Sequence, residues 1–269
     1  MISTLGNVVI RCKWIVCLIL ILFLTASLAA EPDRETLYQI ATIDSLLSGL
    51  YDGWISIGRL TKHGDFGLGT FDGLDGEMVV VDGIVYQITS DGTSRKPDAA
   101  VTTPFAAVTF FDKDKVATIQ DEMTLSRLQE FLNDMLPSKN LFYAIRIDGT
   151  FTRVRTRSVP RQNKPYQPLA DVTVKQPVFE LSDVEGSIVA LRCPYFVKGA
   201  NVPGYHMHFI TSDRSQGGHL LDCSIKCGKV LLDITPQFEL SLPKDESFYR
   251  ADFEPASSET LEKVEQGKQ

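Results

Sequence analysis

The sequence predicts an α+β fold of two lobes, each built on a mixed or antiparallel β-sheet. Short runs rich in Val, Ile and aromatic residues recur along most of the chain and are separated by glycine turns. The two clear helical patterns both lie in the first half, and a polar stretch with several prolines, residues 160–168, is the best candidate for a linker. We therefore predict an N-terminal α+β lobe over residues 31–160 and a mainly antiparallel C-terminal lobe with a tail over residues 161–269.

The first 30 residues have the composition of a secretory signal peptide. Arg11 and Lys13 precede the apolar run WIVCLILILFLTASLAA, which ends in small residues. An uncleaved anchor helix is the alternative, but the run is slightly short and its small-residue end favours cleavage near Ala29 or Ala30. We expect the mature protein to be exported, to the periplasm or the medium, although the sequence does not fix the cleavage site.

The charge of the chain argues against two classes of partner. The formal net charge is −7, and loss of residues 1–30 removes two basic residues and no acidic one, which gives −9. An acidic protein without a basic cluster is a poor candidate for binding nucleic acid or an anionic membrane. We expect neither partner after signal cleavage.

Disulfide bonds do not dominate this sequence. Five cysteines are present, and the predicted cleavage leaves Cys193, Cys223 and Cys227. This number is odd and too small for a disulfide scaffold, so the fold must depend on a hydrophobic core. One disulfide is possible, and the sequence does not indicate which pair would form it; Cys223 is expected simply to pack in a strand.

The mature chain opens with the segment ETLYQIATIDSLLSGLYDG, whose apolar residues follow helical spacing. Leu37, Ile40 and Leu47 fall on one predicted face, and Gly49 and Gly53 would end the helix. A second helix is predicted over TLSRLQEFLNDMLP. Its N-cap would be Thr124 and Pro137 would end it. The apolar stripe comprises Leu125, Leu128, Leu132 and Met135.

Strand-like runs fill most of the remaining sequence. An Asp-Gly pair at residues 82–83 separates VVV from IVY and predicts a β-hairpin. A second Asp-Gly pair, residues 148–149 in LFYAIRIDGTFTRVRTRSV, predicts another hairpin. Beyond residue 168 come SIVALRC, YHMHFIT, HLLDCSI, VLLDIT and FELSL, and then a short amphipathic tail, SSETLEKVE.

Three of the four histidines lie in one short window. His206 and His208 occupy alternate positions of a predicted strand, so their side chains project from the same face. The polar, glycine-rich stretch SDRSQGG predicts a turn that brings His219 beside them on the next strand. The remaining histidine, His63, is expected to be an ordinary hydrogen-bonded loop residue.

Three imidazoles that converge from two strands of the C-terminal lobe predict a metal site. Three protein ligands with an open fourth position are typical of catalytic rather than structural zinc. Imidazole also binds iron, copper, cobalt and nickel, so ligand type alone does not fix the metal. A chance cluster of histidines is the alternative interpretation of the same pattern.

Three blocks of the sequence resemble the α-acetolactate decarboxylase family. They are GDFGLGTFDGLDGEMVVVDG, VRTRSVPRQNKPY and GYHMHFITSDRSQGGHLLD, and the resemblance extends from about Tyr38 to Glu265. It implies a fold of two sheet-containing lobes and a zinc-dependent conversion of 2-acetolactate to acetoin and CO2 through a metal-stabilised enediolate. It also implies that His206, His208 and His219 bind the zinc ion, and it suggests a homodimer.

The resemblance assigns four further residues to the active site, Thr70, Glu77, Arg157 and Glu265. The planar guanidinium of Arg157 suits a substrate carboxylate, and Glu77 or Glu265 would supply the proton that replaces CO2. Without the resemblance, three of the four have a simpler interpretation. Arg157 would belong to a solvated stripe with two nearby arginines, Glu77 would merely precede a strand, and Glu265 would lie on the solvent face of a frayed tail helix.

Two other classes of protein fit the histidine pattern. A cupin-like oxygenase or isomerase with iron or manganese also places an H-x-H motif on a strand. A non-catalytic exported module that binds a metal or another ligand needs only the three imidazoles.

Overall fold

Residues 32–253, together with Leu261 and Val264, are described by a computed structural model of the chain. The predicted signal peptide, residues 1–30, and Glu265 lie outside the described residues. None of the helices in the described part of the chain is long and apolar enough to span a membrane.

The described residues form mainly β-structure with a few short helices, in agreement with the predicted α+β class. The strands are β1 (Thr36–Ile40), β2 (Ile55–Ser56), β3 (Phe66–Thr70), β4 (Glu77–Val81), β5 (Ile84–Ile88), β6 (Ser94–Arg95), β7 (Thr102–Thr103), β8 (Ala106–Thr109), β9 (Lys115–Ile119), β10 (Met123–Thr124), β11 (Phe142–Arg157), β12 (Val178–Cys193), β13 (Gly204–Thr211), β14 (Gly217–Thr235) and β15 (Gln237–Ser241). The α-helices are α1 (Ile43–Leu47), α2 (Ile57–Leu60), α3 (Leu125–Met135), α4 (Leu169–Thr173) and α5 (Glu246–Arg250). Short 3-10 turns occur at Asp72–Leu74 and Tyr195–Val197.

The first sheet has seven strands in the order β15-β1-β8-β3-β4-β5-β6. The pairing of β1 with β15 is parallel, and the other pairings are antiparallel, so the sheet is mixed. Asp82 and Gly83 join β4 to β5 with φ angles of 55° and 72°, the left-handed values that a type I′ hairpin turn needs. The predicted hairpin at this pair is confirmed.

The predicted opening helix is wrong over its first half. Residues 36–40 form β1, which pairs with β8 on one side and with β15 on the other, and the helix α1 starts only at Ile43. Between them, Ala41 adopts a positive φ of 56° and ends the strand. Helical spacing was outweighed here by pairing with strands about 70 and 200 residues away in the sequence, which a local pattern does not reveal.

The second sheet is built on three long antiparallel strands, β11, β12 and β14, and adds β9, β10 and β13. Because β13 pairs with both β12 and β14, and β14 also pairs with β11, four of its strands form a closed ring. The predicted helix α3 is confirmed: the Thr124 side chain accepts a hydrogen bond from the amide of Arg127, and Leu128 and Leu132 are buried against this sheet.

The predicted hairpin at residues 148–149 is wrong, because β11 runs through these residues without turning. Gly149 lies between Gly186 of β12 and Gly228 of β14, and a side chain on it would collide with the backbone of β14. The absence of a side chain at Gly149 therefore allows three strands to approach one another closely, and the residue does not form a turn.

The two sheets pack face to face through a shared apolar core. Alternate residues of β12 point to opposite sides: Val189 and Leu191 face the first sheet, whereas Ile188 and Ala190 face the core beneath α3. Strands β9 and β11 precede residue 160 yet pair within the second sheet, and β15 follows it yet pairs within the first. Strand pairing thus crosses the proposed lobe boundary in both directions, and that boundary stays a prediction.

All three cysteines in the described part of the chain are free thiols. Cys193 and Cys223 are buried, and Cys227 is exposed. Burial raises the pKa of the Cys193 and Cys223 thiols to about 12, so both remain protonated and unreactive at neutral pH. Cys223 packs in the core beneath α3, as the sequence predicts.

Candidate metal centre

The three clustered histidines come together because β13 and β14 form an antiparallel pair. His206 and His208 alternate along β13, and His208 lies directly opposite His219 on β14. The intervening turn is closed by a hydrogen bond from the amide of Thr211 to the carbonyl of Gln216, at 2.9 Å. Both the shared face of the H-x-H pair and the returning strand match the sequence prediction.

The imidazoles face one another in the interior of the protein. Their ring centroids are 5.1–5.3 Å apart, and one nitrogen from each ring lies within 4.8 Å of the other two. All three rings are buried on the side of β13 that faces the first sheet, while Met207 and Phe209 fill the opposite core. Three buried nitrogen atoms in this arrangement form a candidate site for one metal ion.

The orientation of His208 is fixed by the first sheet. Its Nδ1 lies 2.7 Å from the carbonyl oxygen of Met78, and because a carbonyl only accepts, Nδ1 carries the proton. Nε2 then presents a lone pair. Among the described residues Nε2 has no hydrogen-bond partner, and the Glu77 Oε2 atom is 3.6 Å away. A buried nitrogen held in this tautomer by a backbone carbonyl is what a metal-binding histidine requires.

Electrostatics keep two of the histidines, His206 and His208, in the form that binds metal. Burial, with a smaller effect from the positive charge of Arg157, lowers the pKa of His206 to about 3. Burial, followed by the neighbouring His206, also lowers the pKa of His208 well below its usual value. Both imidazoles are therefore neutral at physiological pH and have a nitrogen available to an ion.

Thr70 and Glu77 reach the site from the first sheet, where they are paired residues of β3 and β4. The tight turn between these strands ends at Gly76, whose φ is 84°. The Thr70 hydroxyl donates a hydrogen bond of 2.7 Å to the carbonyl oxygen of Gly76, and so holds the turn against the strand. Both side chains are buried beside the histidines.

Arg157 reaches the site from the second sheet. It is the last residue of β11, pairs with His219 of β14, and is buried. The arginines predicted to share its face behave differently: Arg153 and Arg155 are exposed and form ion pairs with acidic side chains. A register shift between residues 155 and 156 separates the exposed arginines from the buried one.

One pocket connects these groups. Its polar lining comprises Thr70, Glu77, Arg157, Thr173, His206 and His219. Its apolar lining includes Ile43, Leu46, Leu74, Phe105, Val159, Leu169 and Val264. The structure therefore brings together the sequence-predicted residues that it describes, whereas Glu265 falls outside them.

Sequence reasoning missed the supporting residues of the site. Gln176 accepts a hydrogen bond of 2.9 Å from the Arg157 guanidinium, and Met78 orients His208 through its backbone. Leu169 and Thr173 bring one turn of α4 to the pocket wall. None of these residues carries a local signal, because each acts through a contact with a strand distant in sequence.

His63 takes no part in this cluster. Its ring stacks on Tyr38 with centroids 3.8 Å apart and an interplanar angle of 12°. It packs as an ordinary aromatic surface residue.

Comparison with known proteins identifies one family. The sequence profile described as "Alpha-acetolactate decarboxylase" matches residues 37–255. The alpha-acetolactate decarboxylase of Methanosarcina mazei is 51% identical over 231 residues, which span 86% of this chain and 80% of that protein. The enzyme of the same name from Bacillus subtilis is 40% identical over 230 residues, 85% of this chain and 90% of the relative. Its crystal structure from strain 168 superimposes with a TM-score of 0.84 over 86% of this chain and 99% of that one.

Proposed function

The chain belongs to the alpha-acetolactate decarboxylase family and is a carboxy-lyase, and we propose that it converts 2-acetolactate to acetoin and CO2 with a zinc ion. The proposed ligands are His206, His208 and His219. The observation that carries the proposal is the convergence of these buried imidazoles with Glu77 and Arg157 on one pocket.

Zinc is the metal that the family resemblance implies, and the donor set suits it. Three imidazoles with no thiolate among them, of which burial keeps His206 and His208 neutral, match the ligand pattern of catalytic zinc, in which a fourth position stays open for water or substrate. When bound, the ion would act as a Lewis acid toward the substrate oxygens and stabilise the negative charge that loss of CO2 leaves behind.

The protein's own residues supply the remaining functions. The Arg157 guanidinium binds and orients the substrate carboxylate, since its planar N–H groups match that shape and charge. Glu77, held 3.6 Å from the His208 Nε2 atom, is placed to hold a proton for the carbon that loses CO2. The apolar wall accommodates the methyl groups of the substrate and excludes water from the reacting carbon.

The alternatives drawn from the histidine pattern are not supported by the comparisons. A cupin-like oxygenase or isomerase would be expected to share its fold with other enzymes, whereas this chain superimposes on a decarboxylase along nearly its whole described length. A non-catalytic module would not need the buried carboxylate and guanidinium beside the imidazoles.

Removal of the metal should abolish the activity and its return should restore it. We expect the purified mature protein to release CO2 from 2-acetolactate, to lose this activity in a strong chelator, and to regain it with one equivalent of zinc. Acetoin is measured by colour reaction and bound zinc by elemental analysis. Activity that persists in metal-free protein would rule out the proposed metal dependence.

We also propose that the protein acts after export, because residues 1–30 have the features of a cleaved signal peptide. N-terminal sequencing of the protein recovered from the periplasm or the medium should begin near residue 30. An intact N-terminus on a wholly cytosolic protein would contradict this proposal. The homodimer that the family suggests stays a prediction, to be checked by measuring the mass in solution.

A further inference from the structure

Gln176 contacts Arg157, one of the residues that line the pocket of the candidate metal centre. Its side-chain oxygen accepts a hydrogen bond of 2.9 Å from Nη1 of the guanidinium. Arg157 is buried, so its orientation depends on the acceptors that the protein places around it. The contact with Gln176 therefore helps to set the direction in which the other N–H groups of Arg157 point.

The backbone around Gln176 is fixed at both ends. Its amide donates to the carbonyl of Thr173 at the end of α4, at 3.4 Å. The next residue, Pro177, accepts a hydrogen bond of 3.3 Å from the amide of Ser158, and Val178 pairs with Arg157 itself. The two anchored neighbours therefore fix the backbone position from which the Gln176 side chain extends to Arg157.

The acceptor is an amide rather than a carboxylate, and this choice has a chemical consequence. Arg153 and Arg155, on the same strand, pair with the carboxylates of Asp222 and Glu180. An ion pair of that kind competes with an anionic ligand for the guanidinium, whereas an amide oxygen orients it without adding negative charge.

We propose that Gln176 is a positioning residue of the decarboxylation reaction. It holds Arg157 in the orientation that receives the substrate carboxylate and does so without itself neutralising the guanidinium. This inference rests on the proposed function, in which Arg157 binds that carboxylate. The same segment carries Leu169 and Thr173 of the pocket wall, so one short stretch of chain shapes the pocket and orients its cation.

Two substitutions at residue 176 separate orientation from charge. Gln176→Met keeps the length of the side chain and removes the acceptor, and we expect kcat/KM to fall about tenfold to a hundredfold. Gln176→Glu keeps an acceptor and adds a negative charge. We expect it to raise KM about tenfold through competition with the anionic substrate, with kcat close to that of the parent enzyme.

Lys175→Gln is the matched control, because Lys175 is exposed on the same turn. This control should keep the parent kinetic constants, and all three variants should keep the parent Tm and one equivalent of zinc. Parent values of kcat and KM in both Gln176 variants would overturn the inference. So would a loss of activity in Gln176→Met that follows its Tm while Gln176→Glu leaves KM unchanged, since that result indicates a purely structural role.

Arg157→Lys and the parent protein together distinguish failure of this inference from failure of the proposed function. Loss of activity in Arg157→Lys together with unaffected Gln176 variants overturns only the role of Gln176. Full activity in Arg157→Lys overturns the role of the guanidinium and with it the role of Gln176, but leaves the decarboxylation itself intact. The proposed function fails instead if the parent protein, loaded with zinc, releases no CO2 from 2-acetolactate.

Discussion

Replacement of His208 by alanine is expected to release the bound zinc and to reduce decarboxylation by more than about a hundredfold. Loss of an outer partner of a metal ligand already weakens metal binding by about 10- to 100-fold, and loss of the ligand itself removes more. The carbonyl of Met78 fixes the tautomer of His208 so that Nε2 is the nitrogen available to the ion, and alanine offers no nitrogen in its place. Bound zinc is measured by elemental analysis and activity by CO2 release.

A buried histidine leaves a cavity when it becomes alanine, so stability needs a separate control. His208→Gln preserves more of the volume and should show the same loss of zinc with a smaller change in Tm. His63→Ala removes a histidine that stacks on Tyr38 instead, and it should keep full activity and zinc. If His208→Ala retains full, chelator-sensitive activity, the assignment of the metal ligands is wrong.

The part of the site that the sequence predicted correctly depends on local rules. Alternation along a strand places His206 and His208 on one face, and a polar turn of fixed length returns His219 to their side. Neither inference requires knowledge of the rest of the fold. The hairpin at residues 82–83 and the capped helix α3 were predictable for the same reason.

The failures share a different cause, which is pairing between distant segments. The helix predicted over residues 37–47 is half strand because β8 and β15 supply hydrogen bonds to it from far along the chain. The Asp-Gly pair at 148–149 does not turn because Gly149 is packed between two other strands. In both cases the local pattern was genuine, but long-range pairing determined the conformation.

The approach of Glu77 and Arg157 to the histidines is also a product of long-range packing. Glu77 comes from the first sheet and Arg157 from the second; without the resemblance, Glu77 would merely precede a strand and Arg157 would belong to a solvated stripe. Family resemblance singled them out, and the packing of the two sheets supplies the physical reason. Gln176 had no motif around it, and only the folded chain shows its contact with Arg157.

Truncation of the chain after Pro255 is expected to abolish turnover while leaving the fold and the bound zinc. Val264 is buried and lines the pocket, and Leu261 packs in the apolar cluster that also contains Ile43 and Leu169. Loss of the burial of these two side chains costs about 1.5–3 kcal/mol for each, or about 3–6 kcal/mol together. The three histidines proposed as zinc ligands lie on β13 and β14, which the truncation does not touch. The site should therefore keep its metal but lose one wall, and the truncation also removes Glu265, which the resemblance assigns to the active site.

Single substitutions in the full-length chain separate these two losses. Val264→Ala reduces the packing and leaves every carboxylate in place, whereas Glu265→Gln removes one carboxylate without shortening the tail. Glu262→Gln is the matched control for a tail carboxylate without a proposed role. If Glu265 supplies the proton, Glu265→Gln should reduce kcat by about 10²- to 10⁴-fold, as expected for loss of a general acid. The Glu77→Gln variant then shows whether the reaction needs both carboxylates. Full activity in the truncated protein would rule out any role for the tail and would leave Glu77 as the proton donor, because it is the carboxylate that the strand pairing places beside His208.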